Sequence, residues 1–152
     1  MSQFSLGDVI RHAQRIEQES HAFYTAAEPR VAEGPLRELV RELAAAEVEH
    51  FNRLRRLLEE SRLAPEELGT AVDFEVPSLD RLVPVRPLPE DGSARDILSV
   101  ALEREKNTRT LYQRLLALTN LSAELSGILE YLVAQETGHA RLIERRLAAL
   151  QA

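Results

Sequence analysis

The chain has no cysteine, which removes disulfide scaffolds, zinc ribbons, iron–sulfur clusters and thiolate nucleophiles from consideration. It has no excess of positive charge either. Against 25 acidic residues stand 19 basic ones, a formal net charge of −6, so no overall field exists to hold a phosphate backbone and nucleic acid is not an expected partner. Lys106 is the single lysine, and the bias toward Arg, Ala and Leu shows no clustering that would carry a function. No stretch approaches the roughly 18 uncharged apolar residues of a membrane span. Residues 1–10 lack both the basic region and the apolar run of a targeting segment, so a cytoplasmic protein without a membrane partner is expected. Convincing period-two alternation is absent as well. What remains is an ordinary globular composition, 44% hydrophobic and 29% charged, over 152 residues, enough for one core and one domain spanning 1–152.

Four segments carry apolar residues at spacings of three and four, the pattern of helices that bury one stripe. Helices are expected over about 5–28, 35–62, 93–119 and 122–150. Ser5 and Ser93 are each followed three residues later by an aspartate, which resembles a capping box, and Pro35 suits a first turn. Residues 63–92 hold five of the seven prolines, Pro65, Pro77, Pro84, Pro87 and Pro89, so no continuous helix can run there. A connector of that length fits a compact domain only as a crossover. Helices of about 25 residues are roughly 37 Å long, and a partly extended crossover can span them, leaving helices two and three parallel. The expected fold is all-α: a four-helix bundle made of two antiparallel hairpins joined by one long crossover.

Each apolar stripe is broken once, at similar depth, by a glutamate: Glu17, Glu47, Glu105 and Glu136. His50 and His139 follow the second and fourth by three residues and therefore share their faces. The first helix pair maps onto the second with an offset of 88 or 89 residues, and Glu17–Tyr24 and Glu105–Tyr112 are both seven-residue steps. The pattern describes a site with pseudo-twofold symmetry. Four carboxylates in a dry interior repel one another, and even one unpaired buried charge costs several kcal/mol or more. Two divalent cations contribute +4 against −4, with both histidines neutral. Imidazole with carboxylate suits iron, manganese or zinc.

With these motifs the chain resembles the rubrerythrin-like branch of the ferritin-like superfamily, over residues 5–149. The resemblance implies a ferritin-like bundle with two metal ions, iron first. Glu47 and Glu136 then bridge the metals, Glu17 and Glu105 are terminal ligands, and His50 and His139 bind one metal each. Tyr24 and Tyr112 correspond to tyrosines that hydrogen-bond ligand carboxylates, although core aromatics with a polar tip would read the same way. Ser20 and Thr108, three residues after the terminal ligands, are candidates for the face that meets an oxidant. The implied activity is redox chemistry with peroxide or dioxygen; iron binding, ferroxidation or storage in a ferritin-like assembly is the alternative. Two features depart from the family. Thr108 stands where rubrerythrins carry a further glutamate, and without cysteine there is no rubredoxin domain, so an external electron donor is required. A homodimer or small homo-oligomer is the family expectation. A polar layer that only fixes helix register is the reading without metal.

Other polar residues have plainer expectations. His21 lies four residues after Glu17, but its repeat counterpart is Arg109, which cannot bind a cation, so a boundary position is expected. His12 is expected at the surface. Glu19, Glu49 and Glu103 sit two residues from site glutamates, on solvent-facing sides of their helices.

Overall fold

The computed structural model describes residues 3–118 and 120–151. A short strand β1 (Gln3–Ser5) leads into helix α1 (Leu6–Ala27), and α2 (Pro35–Glu59) returns alongside it. A one-turn helix α3 (Pro65–Leu68) and strand β2 (Ala71–Asp73) open the crossover; α4 (Ala94–Leu116) and α5 (Ala123–Gln151) form the second pair. This is the expected all-α bundle of two antiparallel helix pairs joined by one long crossover.

Local chemistry explains where the helices start. Ser93 accepts from the Asp96 N–H while Asp96 accepts from the Ser93 N–H, a complete capping box. At α1 only half of the box forms: Ser5 accepts from Asp8 N–H at 3.1 Å, but the Asp8 carboxylate bonds Arg11, and the backbone of Ser5 belongs to β1. Ser122 Oγ accepts from Leu125 N–H to start α5. Gly34 takes φ +121° before Pro35, a backbone conformation that side chains disfavour.

The first three long helices end slightly earlier than periodicity predicts, while α5 runs to Gln151, one residue beyond the expected 150. The second stops at Glu59, with Ser61 left-handed at φ 51°, rather than at 62; the third ends at Leu116, and its predicted end, Thr119, lies outside the described residues. The pairing of β1 with β2 (Gln3 with Asp73, Ser5 with Ala71) was not predicted, because three-residue strands are too short for alternation to show.

The crossover runs the length of the bundle, as its length requires. Leu6 N–H meets Thr70 O, Arg114 donates to Phe74 O, Asn107 to Pro84 O, Arg104 to Arg86 O, and Arg30 to Pro89 O. Residues 70–89 therefore pass from the start of α1 and end of α4 to the end of α1 and start of α4, and α2 and α4 run parallel. The strap has only brief regular structure of its own, and helix side chains satisfy its carbonyls.

The apolar core divides in two. One cluster joins Leu6, Ile10, Leu54, Leu57, Leu115 and Leu129; the other joins Phe23, Leu39, Leu43, Ile97 and Ile143. Each fully buried side chain of this kind contributes about 1.5–3 kcal/mol. Between the two clusters, at mid-helix, lies a polar layer.

Candidate metal centre

All four glutamates lie in that layer, each at most 2% exposed, with His50 fully buried and His139 14% exposed. The ligand-capable atoms fall into two compact groups: Glu17, Glu47, His50 and Glu136 form one, and Glu47, Glu105, Glu136 and His139 form the other, all within 4.8 Å inside each group. Glu47 and Glu136 belong to both. His50 Nδ1 lies 3.3 Å from Glu17 Oε2, 3.2 Å from Glu136 Oε1 and 3.7 Å from Glu47 Oε2, while His139 Nδ1 lies 3.6 Å from Glu105 Oε2. The two imidazoles stack with centroids 5.8 Å apart. The centre is assembled across hairpins, since each group takes one bridging-position glutamate from the opposite pair of helices.

The tyrosines also cross. Tyr24 OH donates to Glu105 Oε1 at 2.7 Å, and Tyr112 OH donates to Glu17 Oε1 at 2.5 Å. Each reaches the glutamate of the other half, not the one two turns away on its own helix. Both are fully buried, and both hydroxyls are held well above their ordinary pKa by burial and by the carboxylates they bond, so they remain donors.

The electrostatics divide the glutamates in two. Burial, then the charges of Glu17 and Glu136, push Glu47 well above the usual carboxylate range; burial, then Glu105, does the same to Glu136. Burial also acts to raise Glu17 and Glu105, but their polar neighbours outweigh it, Glu47, His50 and Tyr112 for the former and Glu136, His139 and Tyr24 for the latter, and both are shifted below the usual carboxylate value. His50 is pushed up to about 11, its burial outweighed by Glu17 and Glu47. Without metal, protons on Glu47, Glu136 and His50 limit the repulsion.

The donor set fits a dinuclear metal site. Glu105 Oε2, Glu136 Oε1 and His139 Nδ1 are buried without a hydrogen-bond partner among the described residues. Such orphaned acceptors are costly unless a cation engages them. With no thiolate present, carboxylate and imidazole are ligands that suit iron, manganese or zinc.

Ser20 and Thr108 line a gap of about 140 Å³ together with Glu47, Arg104, Glu105 and Glu136; no water-sized sphere fits in it. Arg104, which sequence reasoning did not single out, is 5% exposed and donates to Ser20 Oγ and Arg86 O. It is buried because the crossover covers its face of α4, and only the placement of the strap could have revealed it. His21 is a boundary residue as expected, its Nδ1 2.9 Å from Ala44 O. His12 is partly buried rather than at the surface, with Nδ1 3.4 Å from an Arg15 nitrogen; burial, then Arg15, lowers its pKa. Glu19 is exposed, while Glu49 and Glu103 are half-exposed and paired with Arg53 and Arg86. No helix of the described residues is long and apolar enough to cross a membrane.

No protein-family model and no curated protein matches the chain. Among solved structures it is similar to a candidate ferritin-like diiron-carboxylate protein from Thermotoga maritima, at 18% identity and a TM-score of 0.79, with 97% of each chain covered. At that identity the likeness is one of fold, and the fold is the ferritin-like bundle.

Proposed function

We propose that the chain is a di-iron carboxylate protein of rubrerythrin-like type that reacts with peroxide or dioxygen. The observation that carries this reading is the pair of overlapping ligand groups sharing Glu47 and Glu136 in a layer closed to solvent. In this reading Glu47 and Glu136, common to both ligand groups, would be shared by the two metals, Glu17 and Glu105 would be terminal ligands, and His50 and His139 would each hold one metal. When bound, the iron pair supplies the redox chemistry. The chain's own residues do the rest. Tyr24 and Tyr112 fix one oxygen of each terminal carboxylate, so that the other would be the one available to a metal. The surrounding apolar clusters exclude water and strengthen every charge interaction in the layer. Ser20 and Thr108 border the tight gap beside the shared glutamates, which would have to widen before an oxidant could meet the centre there. Electrons come from a separate donor, since no cysteine is present to hold a redox cluster, and the protein works as a homodimer or small homo-oligomer.

Rapid mixing of the iron-loaded protein with peroxide, followed spectroscopically, tests the activity. Oxidation faster than that of free ferrous ion is expected, and oxidation no faster removes the redox reading. Particle mass with an iron count separates this reading from storage: about two irons per chain in a small oligomer supports it, whereas a large shell with many irons per chain replaces it with storage.

A further inference from the structure

A centre this closed needs a way in, and the four faces of the bundle are not equivalent. Over the α1/α4 face stands the buried Arg104, with Nε unpartnered among the described residues, beside a gap too tight for water. Between α2 and α5, Tyr131 sits edge-on to His50 with ring centroids 6.1 Å apart, and the Arg53 guanidinium covers the tyrosine at 3.9 Å. In the second hairpin the position equivalent to His21 is Arg109, whose Nε is buried and whose charge acts on Glu136. Each of these three approaches presents a guanidinium to an incoming cation.

The α1/α2 face differs. A pocket of about 360 Å³, wide enough for water and open to solvent, is lined by Gln18, His21, Val48 and Phe51 and reaches Glu47, one of the two glutamates common to both ligand groups. Its one basic side chain is an imidazole. Because a carbonyl only accepts, His21 Nδ1 donates to Ala44 O, and Nε2 is the ring nitrogen left for a ligand. The repeat sharpens the contrast: Gln18, His21 and Val48 in the first hairpin correspond to Lys106, Arg109 and Thr137 in the second. At two of these three positions the second half carries a cation, Lys106 and Arg109, where the first has an amide and an imidazole.

We propose that the α1/α2 pocket is the port by which a hydrated divalent cation reaches the centre, with His21 Nε2 as the ligand that takes the ion from water and passes it to Glu47. This rests on the dinuclear reading above, and it adds a direction of filling and a residue outside the ligand set. A cation repelled by Arg53, Arg104 and Arg109 meets no guanidinium in the lining of the α1/α2 pocket, which ends on the Glu47 carboxylate.

The experiment is stopped-flow uptake of cobalt(II) by the metal-free full-length protein, read by visible absorption, with the final cobalt count determined separately. The variants are His21→Ala, Val48→Trp and, as the matched substitution in the other hairpin, Thr137→Trp. Val48 is 42% exposed, so the indole obstructs the pocket mouth without entering the core. Uptake is expected to slow by about tenfold or more in His21→Ala and Val48→Trp, the low end of what a lined, charge-focused approach contributes to an on-rate. Thr137→Trp should fill at the wild-type rate, and all four proteins should reach two cobalt ions. Two ions with unchanged rates in His21→Ala and Val48→Trp would overturn the port and leave the centre standing, as would equal slowing by Thr137→Trp. A wild-type protein that takes up no cobalt would remove the centre itself, and the port with it.

Discussion

Glu47→Gln separates a metal centre from a polar layer that merely sets helix register. In the metal-free protein burial, then the charges of Glu17 and Glu136, push Glu47 well above the usual carboxylate range, which favours the uncharged acid. Glutamine has nearly the same shape, is also neutral, and can donate to Glu17 as the protonated acid does. The metal-free variant should therefore melt close to the wild type. The loaded protein should differ sharply. At free metal about 100-fold above Kd each bound ion stabilises by about 2.7 kcal/mol. Two ions then contribute about 5 kcal/mol, or roughly 10–20 °C in Tm at 2–4 °C per kcal/mol for a chain of this size. Glu47 lies in both ligand groups and Glu17 in only one. Glu47→Gln should abolish nearly the whole rise, while Glu17→Gln should keep about half, roughly 5–10 °C. Calorimetric melting with and without metal, beside elemental analysis, reads both. A Glu47→Gln protein that keeps the full rise, or a Glu17→Gln protein that loses as much as Glu47→Gln, would refute the sharing of Glu47.

Tyr112→Phe removes the donor to Glu17 Oε1, a hydrogen bond to a charged group worth about 1.5–3 kcal/mol, and should weaken metal binding by about 10–100-fold in chelator competition; unchanged affinity would make Tyr112 a core aromatic only. The metal-free protein should lose stability as pH rises. Glu47, Glu136 and His50 have folded pKa values above their unfolded ones, so their contribution is complete below the unfolded values of 4.5 and 6.5 and is lost upward, the His50 share between 6.5 and about 11. Glu17 and Glu105 are shifted the other way, and their contribution is lost as pH falls through and below 4.5, which places the optimum between the two limits. Urea titrations across the alkaline range check this, and a metal-free protein more stable near its His50 midpoint than near neutrality contradicts it. Gly127→Ala should stabilise by about 0.5–1 kcal/mol, because a Cβ there meets nothing within 4 Å inside a helix; a lowered urea midpoint would show otherwise.

The ligand layer was legible because it violates a rule the rest of the chain obeys. A glutamate on an apolar helical stripe is conspicuous, and four at matched depth specify a common height before any tertiary contact is known. The strap was legible in outline, since five prolines forbid a helix and the bundle's length sets the span. What could not be read depends on packing between elements far apart in sequence. Tyr24 shares a helix with Glu17 yet bonds Glu105, 81 residues away. Arg104 would point to solvent on an isolated α4, and the strap's carbonyl at Arg86 together with Ser20 of α1 makes it interior. The β1–β2 ribbon involves three residues on each side, below the length at which a period can be counted.

The exchange of partners between hairpins makes each half of the molecule a lock for the other. Severing the strap between Pro77 and Pro89 would release two helical pairs, and neither would retain a complete cradle: the first lacks Glu136 and Tyr112, the second Glu47 and Tyr24. Coordination would then act as the splice that rejoins them, so that fragments mixed with a divalent ion reconstitute the whole while fragments alone drift apart.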